Sequence, residues 1–275
     1  MRLRERIALV TGAGSGIGAS TAALFAAEGA TVVVNDVART AAEQTAAALP
    51  RREGGHWAFA ADVASSAAVG AMFDDVRDRH GRLDVLVNNA GISEGAPGET
   101  ARVNTNAAAV LADVMGGAPR AVHWDITPHI TDESWSRMLA VHLSGTFFCC
   151  RAAIPLMEAA GGGSIVNLSS AGALLGQPGV PHYAAAKAGI LGLTRSLAGE
   201  LGSRGVRVNA LCPGTIDTPM TKDIDEAFRI MVAATAPLPR LADPGEVATA
   251  ALFLASDESS FFTGQTLEPN GGIHM

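Results

Sequence analysis

The chain contains a single tyrosine, Tyr183, four residues before a lysine in Tyr183-Ala184-Ala185-Ala186-Lys187. On a helix, residues four apart share a face, so phenol and ammonium can converge on one point. A free phenol has a pKa of about 10 and keeps its proton at neutral pH, but a nearby positive charge stabilises the phenolate and lowers that value. A phenol so placed is a usable general acid and base. Thirteen residues earlier, Ser170 closes the apolar run Ile165-Val166-Asn167-Leu168-Ser169. Ligands of parallel sheets bind at the carboxyl ends of the strands, so a hydroxyl there can hold a substrate oxygen.

A second group of residues points to a nucleotide. Thr11-Gly12-Ala13-Gly14-Ser15-Gly16-Ile17-Gly18 follows a first apolar run and leads into a helical pattern. Glycines let the backbone approach a pyrophosphate, and the N-terminus of the helix offers free N–H groups with positive dipole potential. Asp36 ends the next apolar run, Val32-Val33-Val34-Asn35, 18 residues beyond Gly18. A carboxylate there accepts hydrogen bonds from the ribose hydroxyls of NAD and repels the 2′-phosphate of NADP. NAD is therefore the expected cofactor and NADP the less favoured one, with Arg39 nearby as the one feature that suits NADP.

The elements that must hold these groups recur as short β-branched runs followed by Ala-rich stretches at helical spacing, the pattern of a parallel sheet with crossover helices. Strands are expected at Ile7–Thr11, Thr31–Asp36, Trp57–Ala61, Asp84–Asn88, Ser164–Ser169, Val206–Leu211 and Gln265–Glu268. Helices are expected at Ile17–Glu28, Thr40–Leu49, Ala67–His80, Asp132–Ala160, His182–Ser203 and Pro244–Ser256, with Gly29, Gly81 and Gly205 placed to cap three of them. The fold class is thus α/β: a Rossmann-like, doubly wound, mainly parallel sheet of seven strands with helices on both faces. Residues 1–275 read as one domain.

Two segments break the rhythm. Residues 93–131, rich in glycine and proline, are too long for an ordinary connection, and Asn104–Met115 could form a short helix within them. Four prolines between Pro213 and Pro239 and a possible helix at Asp223–Ala234 mark 216–240 as a mobile flap over the substrate.

Composition excludes several classes. Hydrophobic residues make up 48% and charged residues 17% of the 275, enough to bury a core and unlike a disordered tail. The net charge of -7 and the lack of a basic patch speak against nucleic acid and anionic membrane as partners. Three cysteines without metal-ligand spacing suggest neither disulfides nor a metal site, and fit a reducing, cytoplasmic setting.

These residues together make the chain resemble the short-chain dehydrogenases/reductases. The likeness runs from Thr11 to Gly272, apart from most of 93–131. It rests on Thr11-Gly-x-x-x-Gly16-x-Gly18, Asp62-Val63, Asn88-Asn89-Ala90-Gly91, the Ser170-to-Tyr183 spacing, Tyr183-x-x-x-Lys187, Asn209 and Pro213-Gly214-x-Ile216-x-Thr218. The resemblance implies that Gly12, Ser15, Gly16, Ile17 and Gly18 cradle the pyrophosphate and that Asp62 and Val63 lie by the adenine. It places Asn89, Ala90 and Gly91 along the cofactor ribose, and Pro213, Gly214, Ile216 and Thr218 by the nicotinamide. Lys187 would also hold the nicotinamide ribose. The implied reaction is hydride transfer between the nicotinamide and a secondary alcohol or ketone, with Ser170 orienting the oxygen, Tyr183 exchanging its proton and no metal required. A homotetramer is implied too, with Asp132–Ala160 and His182–Ser203 pairing between subunits.

Departures from the family pattern carry their own expectations. His142 stands where relatives usually have an asparagine that supports a water chain from the lysine, and an imidazole near its ordinary pKa of about 6.5 would make proton relay pH-sensitive. The excess in 93–131 is expected over the cleft rim, with His123, Trp124 and His129 as substrate-wall residues. The third departure is Glu268-Pro269-Asn270-Gly271-Gly272, where many relatives have Val-Asp before the two glycines, a change that nothing in the sequence explains. Three readings follow: an NAD-dependent dehydrogenase of a fairly apolar, cyclic or steroid-like alcohol or ketone; an NADPH-dependent 3-oxoacyl-thioester reductase; and a nucleotide-binding module without chemistry, which the presence of Ser170, Tyr183 and Lys187 disfavours.

Overall fold

The seven apolar runs form one sheet, in a computed structural model that describes residues 1–50, 55–116, 122–222, 229 and 234–275. The strands are β1 (Ile7–Val10), β2 (Thr31–Asp36), β3 (Trp57–Ala60), β4 (Val85–Asn88), β5 (Gly163–Leu168), β6 (Val206–Leu211) and β7 (Thr266–Leu267). Their order is β3-β2-β1-β4-β5-β6-β7, and every neighbouring pair is parallel. The chain winds outward from β1 to β3, then returns to β4 on the other side of β1. That reversal opens a crevice at the carboxyl ends of β1 and β4, where ligands of such sheets bind.

Helices cover both faces, as the nearly continuous burial of β1, β2 and β4 requires. On one face, α1 (Gly16–Ala27) packs against α10 (Pro244–Ala255), through a core holding Ala22, Phe25, Val247 and Leu252. On the other, α3 (Ser66–His80), α6 (Gly145–Ala159) and α8 (Pro181–Leu201) enclose Met72, Val76, Cys150, Met157 and Leu201. Between these lie α2 (Arg39–Ala48), α4 (Glu99–Met115), α5 (Asp132–Leu139) and the short α7 (Gly172–Leu175) and α9 (Pro219–Lys222).

Helix ends follow the local chemistry. Ser65 and Thr131 cap α3 and α5 through Ala68 N (3.2 Å) and Ser134 N (3.1 Å), and Asp243 with Glu246 forms a capping box on α10. Gly29, Gly81 and Gly205 adopt the left-handed conformation at φ 95°, 67° and 72°, as their positions after helices demand.

Two expectations need correction. The stretch expected as one helix over Asp132–Ala160 contains a π-helical turn, Ala140–Ser144, that carries His142. Such turns widen a helix at functional positions, and neither periodicity nor propensity announces them. The helix in the 93–131 segment begins at Glu99 rather than Asn104, because Glu99 anchors its first turn through Gly95 N and Ala96 N. The expected helix over Asp223–Ala234 falls mostly outside the described residues. Asp132–Ala159 has the length and mean hydropathy (1.4) of a membrane span, yet it buries Met138, Cys149, Ala153 and Met157 within this protein.

Candidate active site

The glycine turn fits a dinucleotide by its own geometry. Gly12 and Gly16 take φ of 61° and 53°, which L side chains avoid, and a Cβ at Gly12 would stand 2.7 Å from Ala90 Cα. A Cβ on Gly18 would collide with the Gly12 carbonyl and the Asn89 amide. The turn is therefore closed against side chains on its inner side and open where α1 begins. Ser15, the N-cap of α1, makes no side-chain cap bond, and no acid stands in the first turn. Its leading N–H groups suit an anionic ligand.

Asp36 ends β2 beside this turn. Its carboxylate accepts from Gly14 N (3.0 Å) and Ala38 N (2.9 Å), and a Cβ on Gly14 would lie 2.7 Å from Oδ2. The acid is thus held against the turn with its remaining acceptor capacity facing outward. Asp62 is similarly fixed, by Ala64 N (2.9 Å) and Arg137 (3.0 Å). Asn89 donates its side-chain amide to the Thr11 and Gly12 carbonyls, both at 3.0 Å, so it braces the turn, leaving backbone of 89–91 to line the crevice. Thr218 borders the turn, its methyl 3.2 Å from a Cβ built on Gly16. Val63 and Ile216 are buried, Val63 against Gly145 and Ile216 beside Ala242.

Ser170 and Tyr183 meet at the crevice. Ser170 Oγ accepts from Gly172 N (3.1 Å) at the start of α7, and its hydroxyl stands close enough to the Tyr183 phenol to favour the ionised form. Both line a cavity of about 400 Å³ with Pro213 and Gly214. Lys187 is buried on the same face of α8, its Nζ 5.7 Å from the Tyr183 ring centroid.

The electrostatics differ from the sequence expectation. Burial pushes the Tyr183 phenol above its usual range, with the nearby Ser170 hydroxyl acting the other way. The Lys187 ammonium donates to the Leu168 carbonyl at 2.7 Å, and burial lowers it to about 8. Desolvation outweighs the attraction expected between ammonium and phenolate. This gives a pH signature. Lys187 loses its proton near pH 8 in the fold and near 10.5 when unfolded, so the unfolded chain binds more protons between those values and stability rises with pH there. In the cofactor-free protein, the stability advantage of Lys187→Met over wild type should shrink between pH 8 and 10 by about 1.4 kcal/mol per unit. Urea melts at pH 7, 8, 9 and 10 check this, and an advantage constant with pH would refute it.

His142 also departs from expectation. Burial, reinforced by the Lys187 charge, holds its pKa well below 6.5, so the imidazole is neutral through the physiological range. Nε2 lies 3.2 Å from Ile92 N and 3.1 Å from Ile92 O, and Nδ1 is buried without a partner among the described residues. The ring stands edge-on to Tyr183, centroids 5.3 Å apart. A Cβ on Gly91 would lie 2.5 Å from its Cε1. His142 thus ties the segment after β4 to α8, the helix that carries Tyr183.

The 93–131 segment contributes to the cavity through Glu99, Arg102, Val103, Ile126, His129 and Ile130. Of the three expected wall residues, His129 lines the cavity, Trp124 lies behind it against Gly179, and His123 is not in the lining. Sequence reasoning missed Glu99 and His182. Glu99 accepts from Ser134 Oγ, from Gly95 N (2.8 Å) and Ala96 N (3.2 Å), and faces His182 Nε2 at 3.4 Å. Burial raises Glu99, but these bonds outweigh it and leave the carboxyl below its usual range. The one available signal was His182 directly preceding Tyr183. Glu268 gains an account as well: it pairs with His274 Nδ1 at 2.7 Å and so fixes the tail whose Ile273 reaches the cavity.

Comparison with known proteins agrees with this architecture. A family profile described as short chain dehydrogenase matches residues 6–228. The chain is 37% identical over 273 residues to the 3-oxoacyl-(acyl-carrier-protein) reductase of Thermotoga maritima, covering 99% of each protein. It is 41% identical over 270 residues to the cis-4-hydroxycyclohexanecarboxylate dehydrogenase of Sinomonas cyclohexanicum, covering 98% of this chain and 96% of that one. It is 37% identical over 284 residues to the mouse (3R)-3-hydroxyacyl-CoA dehydrogenase, covering 100% and 98%. The crystal structure of 3-ketoacyl-(acyl-carrier-protein) reductase from Brucella melitensis, complexed with NADH, matches with a TM-score of 0.84 at 30% identity, covering 99% of this chain and 100% of that one.

Proposed function

Because the chain belongs to the short-chain dehydrogenase family and is an oxidoreductase of hydroxyl or keto groups, we propose that it interconverts a secondary alcohol and its ketone with NAD(H). The observation that carries this reading is the pair of hydroxyls, Ser170 and Tyr183, that line one cavity with Pro213 and Gly214. When bound, the nicotinamide would supply or accept the hydride at the carbinol carbon. Gly12, Ser15, Gly16, Ile17 and Gly18 would hold the pyrophosphate, with Asp36 on the adenosine ribose, Asp62 and Val63 by the adenine, and Asn89–Gly91 along the crevice. Pro213, Gly214, Ile216 and Thr218 would flank the nicotinamide, and Lys187 its ribose.

In the reducing direction, Ser170 donates a hydrogen bond to the substrate carbonyl oxygen and Tyr183 gives that oxygen its proton. In the oxidising direction, the phenolate oxygen takes the proton back. Burial above the usual phenol range favours the protonated form in the cofactor-free state, which suits reduction. Lys187 supplies positive charge on the same face of α8.

The choice of NAD rests on Asp36, a carboxylate where a 2′-phosphate would otherwise lie. An NADPH-dependent 3-oxoacyl-thioester reductase is the second reading, favoured by the name of the Thermotoga relative. A panel of cyclic and linear ketones, 4-oxocyclohexanecarboxylate among them, together with 3-oxobutanoyl-CoA, assayed with NADH and NADPH, separates the two. The first reading expects NADH-dependent turnover of simple ketones. Turnover of the thioester alone, with NADPH, would replace it with the second, and none with either cofactor would defeat both. We further place the enzyme in the cytoplasm as a homotetramer joined through α5–α6 and α8.

His142 acts in this account as a positioning residue. Because its imidazole is neutral, the pH–kcat profile of His142→Asn should have the same shape as wild type between pH 6 and 8. An acid limb near pH 6.5 in wild type, lost in the variant, would instead identify an imidazole that relays protons.

A further inference from the structure

The walls around Tyr183 are mostly apolar, Ile92, Val103, Ile126, Leu175 and Val180 among them, and among the described residues Arg102 is the one permanently positive side chain lining the cavity. Arg102 makes no ion pair with any described carboxylate, although Glu99 stands one turn earlier on α4. The reason is that the Glu99 charge is already answered by Ser134 Oγ, Gly95 N and Ala96 N, with His182 beside them. A guanidinium at the edge of an apolar cavity presents a planar fork that matches a carboxylate and discriminates against neutral groups.

On the reading of this cavity as the alcohol and ketone site, we propose that the substrate is a small hydroxy acid, or its oxo acid, whose carboxylate pairs with Arg102 while its carbinol oxygen lies at Ser170 and Tyr183. Arg102 lines the same cavity as Ser170 and Tyr183, so one ligand can meet all three. A cavity of about 400 Å³ suits a small ligand.

The test compares kcat/KM with NADH for 4-oxopentanoate and 4-oxocyclohexanecarboxylate, each against its amide, and for 3-oxobutanoyl-CoA, in wild type, Arg102→Gln and Arg102→Lys. Arg102 is exposed on α4, so folding is not at stake. Wild type should prefer an acid over its amide by about tenfold or more. Arg102→Gln should erase that preference mainly through KM, and Arg102→Lys should restore part of it. Equal use of acid and amide by wild type, an acid preference that survives Arg102→Gln, or an equal loss for the thioester would overturn the assignment. Turnover of other ketones but neither oxo acid would overturn the carboxylate and leave hydride transfer standing, whereas no turnover of any ketone would overturn both.

Discussion

Tyr183→Phe should lower kcat by between about 10² and 10⁴ while leaving NAD binding within a few-fold of wild type. The substitution removes only the phenolic oxygen, so the ring keeps its edge contact with His142 and its place near Lys187. What is lost is the proton carried to or from the substrate oxygen. Ser170→Ala should cost less, because the hydroxyl orients the oxygen without exchanging its proton. Fluorescence titration with NADH, alongside single-turnover rates, separates the binding and chemical effects. A Tyr183→Phe enzyme with a wild-type rate would end the assignment of the phenol as acid and base.

Asp36→Arg should reverse the cofactor preference. In the wild type the carboxylate is fixed by Gly14 N and Ala38 N, which hold it beside the turn as an acceptor. Each hydrogen bond from a ribose hydroxyl to a charged acceptor is worth about 1.5–3 kcal/mol, so losing two of them weakens NAD by a hundredfold or more. A guanidinium at the same place attracts the 2′-phosphate, so the ratio of kcat/KM for NADPH over NADH rises by a similar factor. Asp36→Asn is the milder partner, since it removes the charge and keeps an acceptor. An unchanged ratio in both variants would place the ribose elsewhere.

Much of this was readable from residue order. All seven strands lie within a residue or two of the apolar runs, because a strand covered on both faces must be apolar throughout. The glycine turn, Asp36, Ser170, Tyr183 and Lys187 converge at the carboxyl edge for the same reason: each follows or ends a strand, or stands on the helix behind one. What sequence did not show depends on burial. A lysine four residues from a tyrosine reads as a charge pair, yet the structure hands its ammonium to the Leu168 carbonyl and desolvates both groups. His142 reads as a titrating imidazole, yet its place in a π turn against Gly91 keeps it neutral. Glu99 and His182, 83 residues apart, meet only because the long segment after β4 folds back over the cavity. The one local hint of such a pair is the place of His182 directly before Tyr183.

The most direct measurement is the ultraviolet titration of the phenol itself, which the sole tyrosine permits once the three tryptophans are subtracted. Without cofactor, Tyr183 should ionise above the ordinary phenol range, as its burial requires. With saturating NAD⁺, added positive charge beside the oxygen should bring ionisation down, toward the pH at which the enzyme oxidises alcohols. A titration that NAD⁺ leaves unmoved, in an enzyme that still turns over, would show that the proton travels by another group.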